Sequence, residues 1–218
     1  MSTVICIPAR IGSTRVKEKM LLEFDGIPLI KHVFNSVETF GYDTVVLTDS
    51  DKIAKLIPKE NVIITNQAEN GTARIASVFE KLNYDNYLNI QGDMLGVTKD
   101  TVNPLLNNYS SGMMTAYKRG YKPGSVKVIH QNGKASWFTR HDIGYGDQHL
   151  GVYMYDKEVL SNYSNFKGAD NNKESLEQLR VLRYFPMYVV ESFYNGREIN
   201  TPQDVYESKR NQVRESSN

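Results

Sequence analysis

The chain has a single cysteine in 218 residues, Cys6, so a disulfide framework and a cysteine-based metal site are both excluded. Cys6 falls inside an apolar run and reads as a buried structural thiol rather than a nucleophile. An excess of charge of one sign is also missing: 26 Lys and Arg stand against 25 Asp and Glu. That balance excludes a general affinity for nucleic acid or for a membrane surface, so any anion site must be a local gathering of cations. No apolar run approaches the length that spans a bilayer. The first residues lack the basic and apolar regions of a signal peptide, and a cytoplasmic protein is the expectation. Repeats, low-complexity linkers and a clear domain boundary are absent as well. The expected organisation is one domain over residues 1–210, with a small hairpin-containing lobe at about 120–155 and a polar tail over 211–218.

The most informative stretch that is present is VICIPARIGSTRVKEKMLL, residues 4–22, an apolar run that passes straight into a loop carrying Arg10, Ser13, Thr14, Arg15, Lys17 and Lys19. A strand buried on both faces of a parallel sheet requires such a run, and ligands of open α/β sheets bind beyond the carboxyl ends of these strands. The loop follows neither the dinucleotide-binding GxGxxG nor the P-loop pattern. Taken alone it reads equally as a phosphate cradle or as a solvated basic loop.

Periodicity organises the rest. Leu29, Ile30, Val33, Phe34 and Val37 predict a helix over 28–40 with Gly41 as its stop. A strand over 44–47 runs into Thr48-Asp49-Ser50, where Ser50 can cap a short helix over 51–57. A strand over 62–64, a helix capped by Thr72 with Ile75, Val78, Phe79 and Leu82 on one face, and a strand over 87–90 continue the alternation. That order implies a mainly parallel sheet with helices on both faces. Further on, Gln131-Asn132-Gly133 between 125–129 and 135–139 signals a hairpin. A strand over 149–155, a helix over 173–184, a strand over 187–193 and a last helix opened by Thr201-Pro202 follow, with Asp204 in the capping-box position.

Gln91-Gly92-Asp93 comes directly after the fourth strand. A carboxylate there suits a divalent cation held against a phosphate, but on spacing alone a simple turn is the better reading. Set beside the basic loop it gains meaning, because both follow parallel strands of one sheet and face one crevice. Cations for phosphate oxygens and a carboxylate for Mg²⁺ would then meet.

Several segments, in order along the chain, resemble the CMP-Kdo synthetases, the 3-deoxy-manno-octulosonate cytidylyltransferases of the nucleotide-diphospho-sugar transferase superfamily. IPARIGSTRVKEKML is similar to the family's IPARxxSTRLPGKPL, NGTARIASV to SGTDRIAEV, and NIQGD to NVQGD. SVKVI, ASWFTRHDIGY, HLGVYMY and NTPQDV are similar to VVKVV, ALYFSRAPIPY, HIGIYAY and DTPEDL, and ESLEQLRVL is the same in both.

The resemblance implies a Rossmann-like three-layer α/β/α sandwich with a mainly parallel mixed sheet. It implies transfer of CMP from CTP to an acidic 3-deoxy-ulosonic sugar with release of pyrophosphate, Mg²⁺ as cofactor, a homodimer, and no nucleic-acid or membrane partner. By the same resemblance Arg10, Arg15, Lys19 and Asp93 are catalytic. Pro8, Ala9, Arg10, Ser13, Thr14, Lys19, Thr48, Asp49, Gly71, Thr72 and Arg74 hold the nucleotide. Gln91, Arg140, His149, Tyr153, Glu174 and Gln178 surround the acidic sugar, with Arg140 suited to its carboxylate. The metal positions are Asp93 and Asn200, the latter an amide where the family has an aspartate. An amide oxygen can still ligate a hard cation, but it brings no charge. Other departures are Met94-Leu95 after Asp93, the loss of two prolines and a glycine from the loop at 16–21, and a short segment between Tyr145 and His149. They leave open a nucleotidyltransferase for another acidic sugar, or a non-catalytic nucleotide-binding homologue.

Overall fold

The computed structural model describes residues 1–13, 15–166 and 176–215, with the backbone alone at 211–215. Its first strand, β1 (Thr3–Ala9), is buried from Val4 onward. Around it lie β2 (Asp43–Thr48), β3 (Val62–Ile64), β4 (Asn86–Ile90), β5 (Met113–Lys118), β6 (Lys127–Gln131), β7 (Lys134–Thr139), β8 (Asp147–Asp156) and β9 (Met187–Glu191). Among the described residues these nine form one sheet in the order β3-β2-β1-β4-β8-β5-β9-β7-β6. β1 pairs in parallel with β2 and with β4, and β2 with β3. β8 inserts antiparallel between β4 and β5, and β9 lies parallel to β5, so β1 to β5 and β9 share one direction. The β6–β7 hairpin turns through Asn132 (φ 52) and Gly133 (φ 72) and forms the far edge of this same sheet, where a small lobe was expected. A left-handed pair in a two-residue loop gives the twist that tight hairpins need.

Alternate side chains of β1 feed two cores. Ile5 and Ile7 pack with Ile30, Val33 and Phe34 of α1 (Leu29–Glu38) and with Val102 and Leu105 of α5 (Lys99–Asn108). Val4 and Cys6 face the opposite layer. It is built by Ile75 of α3 (Gly71–Ala76), Phe79 of α4 (Phe79–Leu82), Val159 of α6 (Lys157–Asn162) and Leu179 of α7 (Glu177–Leu182). The architecture is therefore a three-layer α/β/α sandwich. Each buried Ile, Val, Leu or Phe is worth about 1.5–3 kcal/mol, and these two apolar layers hold the sheet from both sides. Cys6 is fully buried in this core and its thiol is pushed far up by desolvation, so it is a structural residue.

Several expected elements differ in detail. Asn70, and not Thr72, caps α3: its side chain accepts from the Ala73 amide at 2.8 Å. The single helix expected after Thr72 is two short ones, parted at Ser77, whose hydroxyl donates back to the Arg74 carbonyl at 2.7 Å. Ser50 stands at the N-cap of α2 (Asp51–Ala54) without a side-chain cap bond. The helix expected over 173–184 is described as α7, and 173–175 lie outside the described residues. Thr201, Pro202 and Asp204 do form the expected cap of α8 (Pro202–Glu215): the Asp204 carboxylate accepts from the Thr201 hydroxyl at 2.8 Å, and the Asp204 amide donates back to that hydroxyl at 3.2 Å. This helix runs into the stretch read as a polar tail.

Candidate functional site

Because β1, β2 and β4 run parallel, their carboxyl ends fall together, with Ala9 beside Thr48 in the register and Cys6 beside Asn89. β8 runs the other way, so its first residues project beyond Ile90 at the same edge, starting from the Val152–Ile90 pair. Between these ends lies a cleft of about 1410 Å³. Two glycines make the close packing at its floor possible. A Cβ at Gly92 would stand 3.1 Å from the Pro8 carbonyl oxygen, and one at Gly151 would stand 2.9 Å from Cγ of Gln91.

One end of the cleft is cationic. Arg10, Ser13, Arg15 and Lys19 line it, together with Pro8 and Arg74. Thr14 lies outside the described residues. The loop is held by its start: the Ile11 amide donates to Asp49 Oδ1 at 3.2 Å, and the other oxygen of Asp49 takes the Arg74 guanidinium at 2.9 Å. Asp49 thus anchors the loop from behind the wall. Ala9, Thr48 and Thr72 are buried there as well and do not line the cleft. The Thr48 hydroxyl accepts from the Ser50 amide, and that of Thr72 meets the Tyr155 hydroxyl at 2.7 Å. Gly71 does line it, and a Cβ there would stand 3.1 Å from Cγ of Pro8.

At the centre the buried ammonium of Lys19 pairs with Asp93. Arg15 donates to the amide oxygen of Asn200 at 3.0 Å, while the Asn200 nitrogen donates to Glu198 at 3.2 Å. The sequence does not single out Glu198, although it stands only two positions before the NTPQDV segment. Burial, reinforced by the charge of Asp93, pushes its carboxyl up to about 7. Two carboxylates, an amide and two cations therefore share this point.

Gln91, Arg140, His149, Tyr153 and Gln178 line the same cleft. Gln178 is buried, and Glu174 lies outside the described residues. His149 is held neutral: desolvation, with the Arg140 charge adding to it, lowers its pKa to about 3. Its Nε2 lies 3.0 Å from the Thr115 hydroxyl, and its ring meets Phe138 edge-on and Tyr153 at a tilt. Glu177, which the sequence pattern does not single out, also lines the cleft. It accepts from the Thr72 amide at 3.2 Å, and burial raises its pKa.

A triphosphate fits the cationic end, where arginine forks and a lysine point charge would meet its oxygens. A protein-family model described as Cytidylyltransferase matches residues 4–185. The 3-deoxy-manno-octulosonate cytidylyltransferase 2 of Hydrogenovibrio crunogenus is 32% identical over 237 residues, covering 94% of this chain and 96% of that protein. The Escherichia coli 3-deoxy-manno-octulosonate cytidylyltransferase is 31% identical over 203 residues, covering 82% of each. The solved structure of a CMP:2-keto-3-deoxy-manno-octonic acid synthetase complexed with CTP superposes with a TM-score of 0.86 at 26% identity, over 99% of this chain and 100% of that one. An inositol-1-phosphate CTP transferase from T. maritima shares the fold, with a TM-score of 0.71 at 18% identity and coverage of 97% and 96%.

Proposed function

Since this chain belongs to the cytidylyltransferase family, we propose that it transfers CMP from CTP to the anomeric hydroxyl of 3-deoxy-manno-octulosonate, giving CMP-Kdo and pyrophosphate. The observation that carries this reading is the meeting of the cationic loop with Asp93 and Glu198 in one cleft whose far wall presents Arg140. The sugar hydroxyl attacks the α-phosphorus in line and loses its proton, and the bond from that phosphorus to the bridging oxygen of pyrophosphate breaks. The protein's part is positioning and charge stabilisation. Arg10 and Arg15 hold the phosphates. Lys19, already set by Asp93, meets the charge that builds on the departing pyrophosphate. Arg140 pairs with the sugar carboxylate, while Gln91, His149, Tyr153 and Gln178 line the acceptor's side; a neutral imidazole there reads hydrogen bonds without repelling Arg140.

The residues fit a magnesium ion. Asp93 and Glu198 offer hard oxygens; burial raises the Glu198 carboxyl first, and the repulsion from Asp93 that adds to it is what a cation removes. The Asn200 oxygen is engaged by Arg15, so Glu198 supplies the second charge where the family pattern has its aspartate. Among the described residues no group of three such ligands stands ready, in keeping with an ion that takes one or two carboxylates and completes its shell on phosphate and water. When bound, it offsets negative charge on the α-phosphate. We propose a homodimer, as the family resemblance implies, working in the cytoplasm.

Incubation of the purified protein with Mg²⁺, each nucleoside triphosphate and a panel of acidic ulosonic acids, following pyrophosphate, tests the proposal. Release with CTP and Kdo supports it. Release only with another sugar selects the alternative that the changed residues Met94 and Leu95 leave open, and CTP binding without any turnover selects a non-catalytic homologue.

A further inference from the structure

Lys127, the first residue of β6, is fully buried. Its ammonium donates to two backbone carbonyls, Ser125 at 3.3 Å and Arg140 at 3.3 Å, and stands 4.7 Å from the centre of the Tyr121 ring. The Tyr121 hydroxyl donates to Asp142 at 2.7 Å, and the same carboxylate oxygen accepts from the Gly144 amide at 3.1 Å. Lys127 is also, with Val128, one of two residues at which β6 pairs with both neighbours, opposite Thr139 on β7 and Gln148 on β8. It therefore ties together the loop before β6, which lines the cleft, and the start of the loop between β7 and β8, where Arg140 lines it. Burying an ammonium is expensive, and a methionine would fill similar space without that penalty. A cation aimed at carbonyls is explained by what the carbonyls fix.

We propose that Lys127 is the positioning residue of the acceptor site: by holding the Arg140 carbonyl and the Ser125 carbonyl at once, it sets Arg140 where the carboxylate of an acidic sugar enters. The proposal rests on the reading that Arg140 receives that carboxylate. Lys127 has no part in binding the triphosphate, since the loop that does so hangs from β1 and is anchored through Asp49 and Arg74. A displaced fork loses much of its hold on a planar carboxylate, because its two hydrogen bonds depend on direction.

Steady-state kinetics on Lys127→Met, Arg140→Ala and the double variant test this. Arg140→Ala alone examines the underlying reading: an unchanged acceptor KM there removes Arg140 from the carboxylate, whatever Lys127 does. With that KM raised, Lys127→Met is expected to raise acceptor KM about tenfold while CTP KM stays within about twofold. The double variant should be no worse than Arg140→Ala, since both act through one guanidinium. An unchanged acceptor KM in Lys127→Met, an equal rise in both KM values, or multiplying effects in the double variant overturns the proposal. Where Lys127→Met fails to fold, Tyr121→Leu removes the ring beside the ammonium; a rise confined to acceptor KM supports the proposal, and a rise in CTP KM or in neither contradicts it.

Discussion

His149 and Glu198 pull the stability of this protein in opposite directions as pH changes. His149 has a folded pKa lowered to about 3, so its unfolded form binds the proton first; its contribution is present above the usual histidine range and is lost as pH falls from about 6.5. Glu198 has a folded pKa raised to about 7. Its neutral form suits the fold, so stability is full below the unfolded carboxyl range and declines as pH rises toward 7, by up to about 3 kcal/mol. Thermal melts of Glu198→Gln are expected to show a gain of several degrees over the parent at pH 8 and none at pH 4. A gain that does not depend on pH would mean that the carboxyl is not strained by its charge. For the chemistry, Asp93→Asn is expected to lower kcat by a hundredfold or more, about 3 kcal/mol, with an unchanged circular dichroism spectrum; retained turnover would take Asp93 out of the metal and phosphate reading.

Among the elements, β8 borders the cleft, and Gly151 is the position where it admits the Gln91 side chain. Gly151→Ala is expected to push Gln91 aside and raise acceptor KM about threefold to tenfold, with a loss of only a few degrees in Tm, because the displaced group is a flexible side chain. An unchanged acceptor KM would show that Gln91 does not act on the sugar. Elements with a strong period were legible in the sequence: β1, α1, β2, the hairpin and the cap of α8 are where the residues put them. α5 was not, because Pro104 breaks its helical reading, although Thr98 and Thr101 form its capping box. β5 was not either; MMTAYK has little β-branching or alternation, and it is a strand because β8 and β9 flank it. Thr72 was read as a cap from residue type alone, while Asn70 had the reach to the Ala73 amide.

At the scale of the whole molecule, the layered sandwich was readable from the alternation of strands and helices and from the family resemblance, and the basic wall of its cleft from a strand that runs into a basic loop. The meeting of Arg15 with Asn200 was not, since 185 positions separate them. Nor was Glu198, whose meaning comes only from standing near Asp93 once the chain has folded. The short bonding chain from the loop through Asp49 to Arg74 belongs to the same class. The central claim is that this one cleft joins the α-phosphorus of a nucleotide to a sugar hydroxyl. CTP labelled at the α-phosphate, incubated with Mg²⁺, Kdo and the protein, tests it most directly. The label is predicted to appear wholly in a phosphodiester joining cytidine to the sugar, with the pyrophosphate unlabelled; a phosphorylated sugar without the α label, or labelled CTP bound and recovered intact, would contradict it.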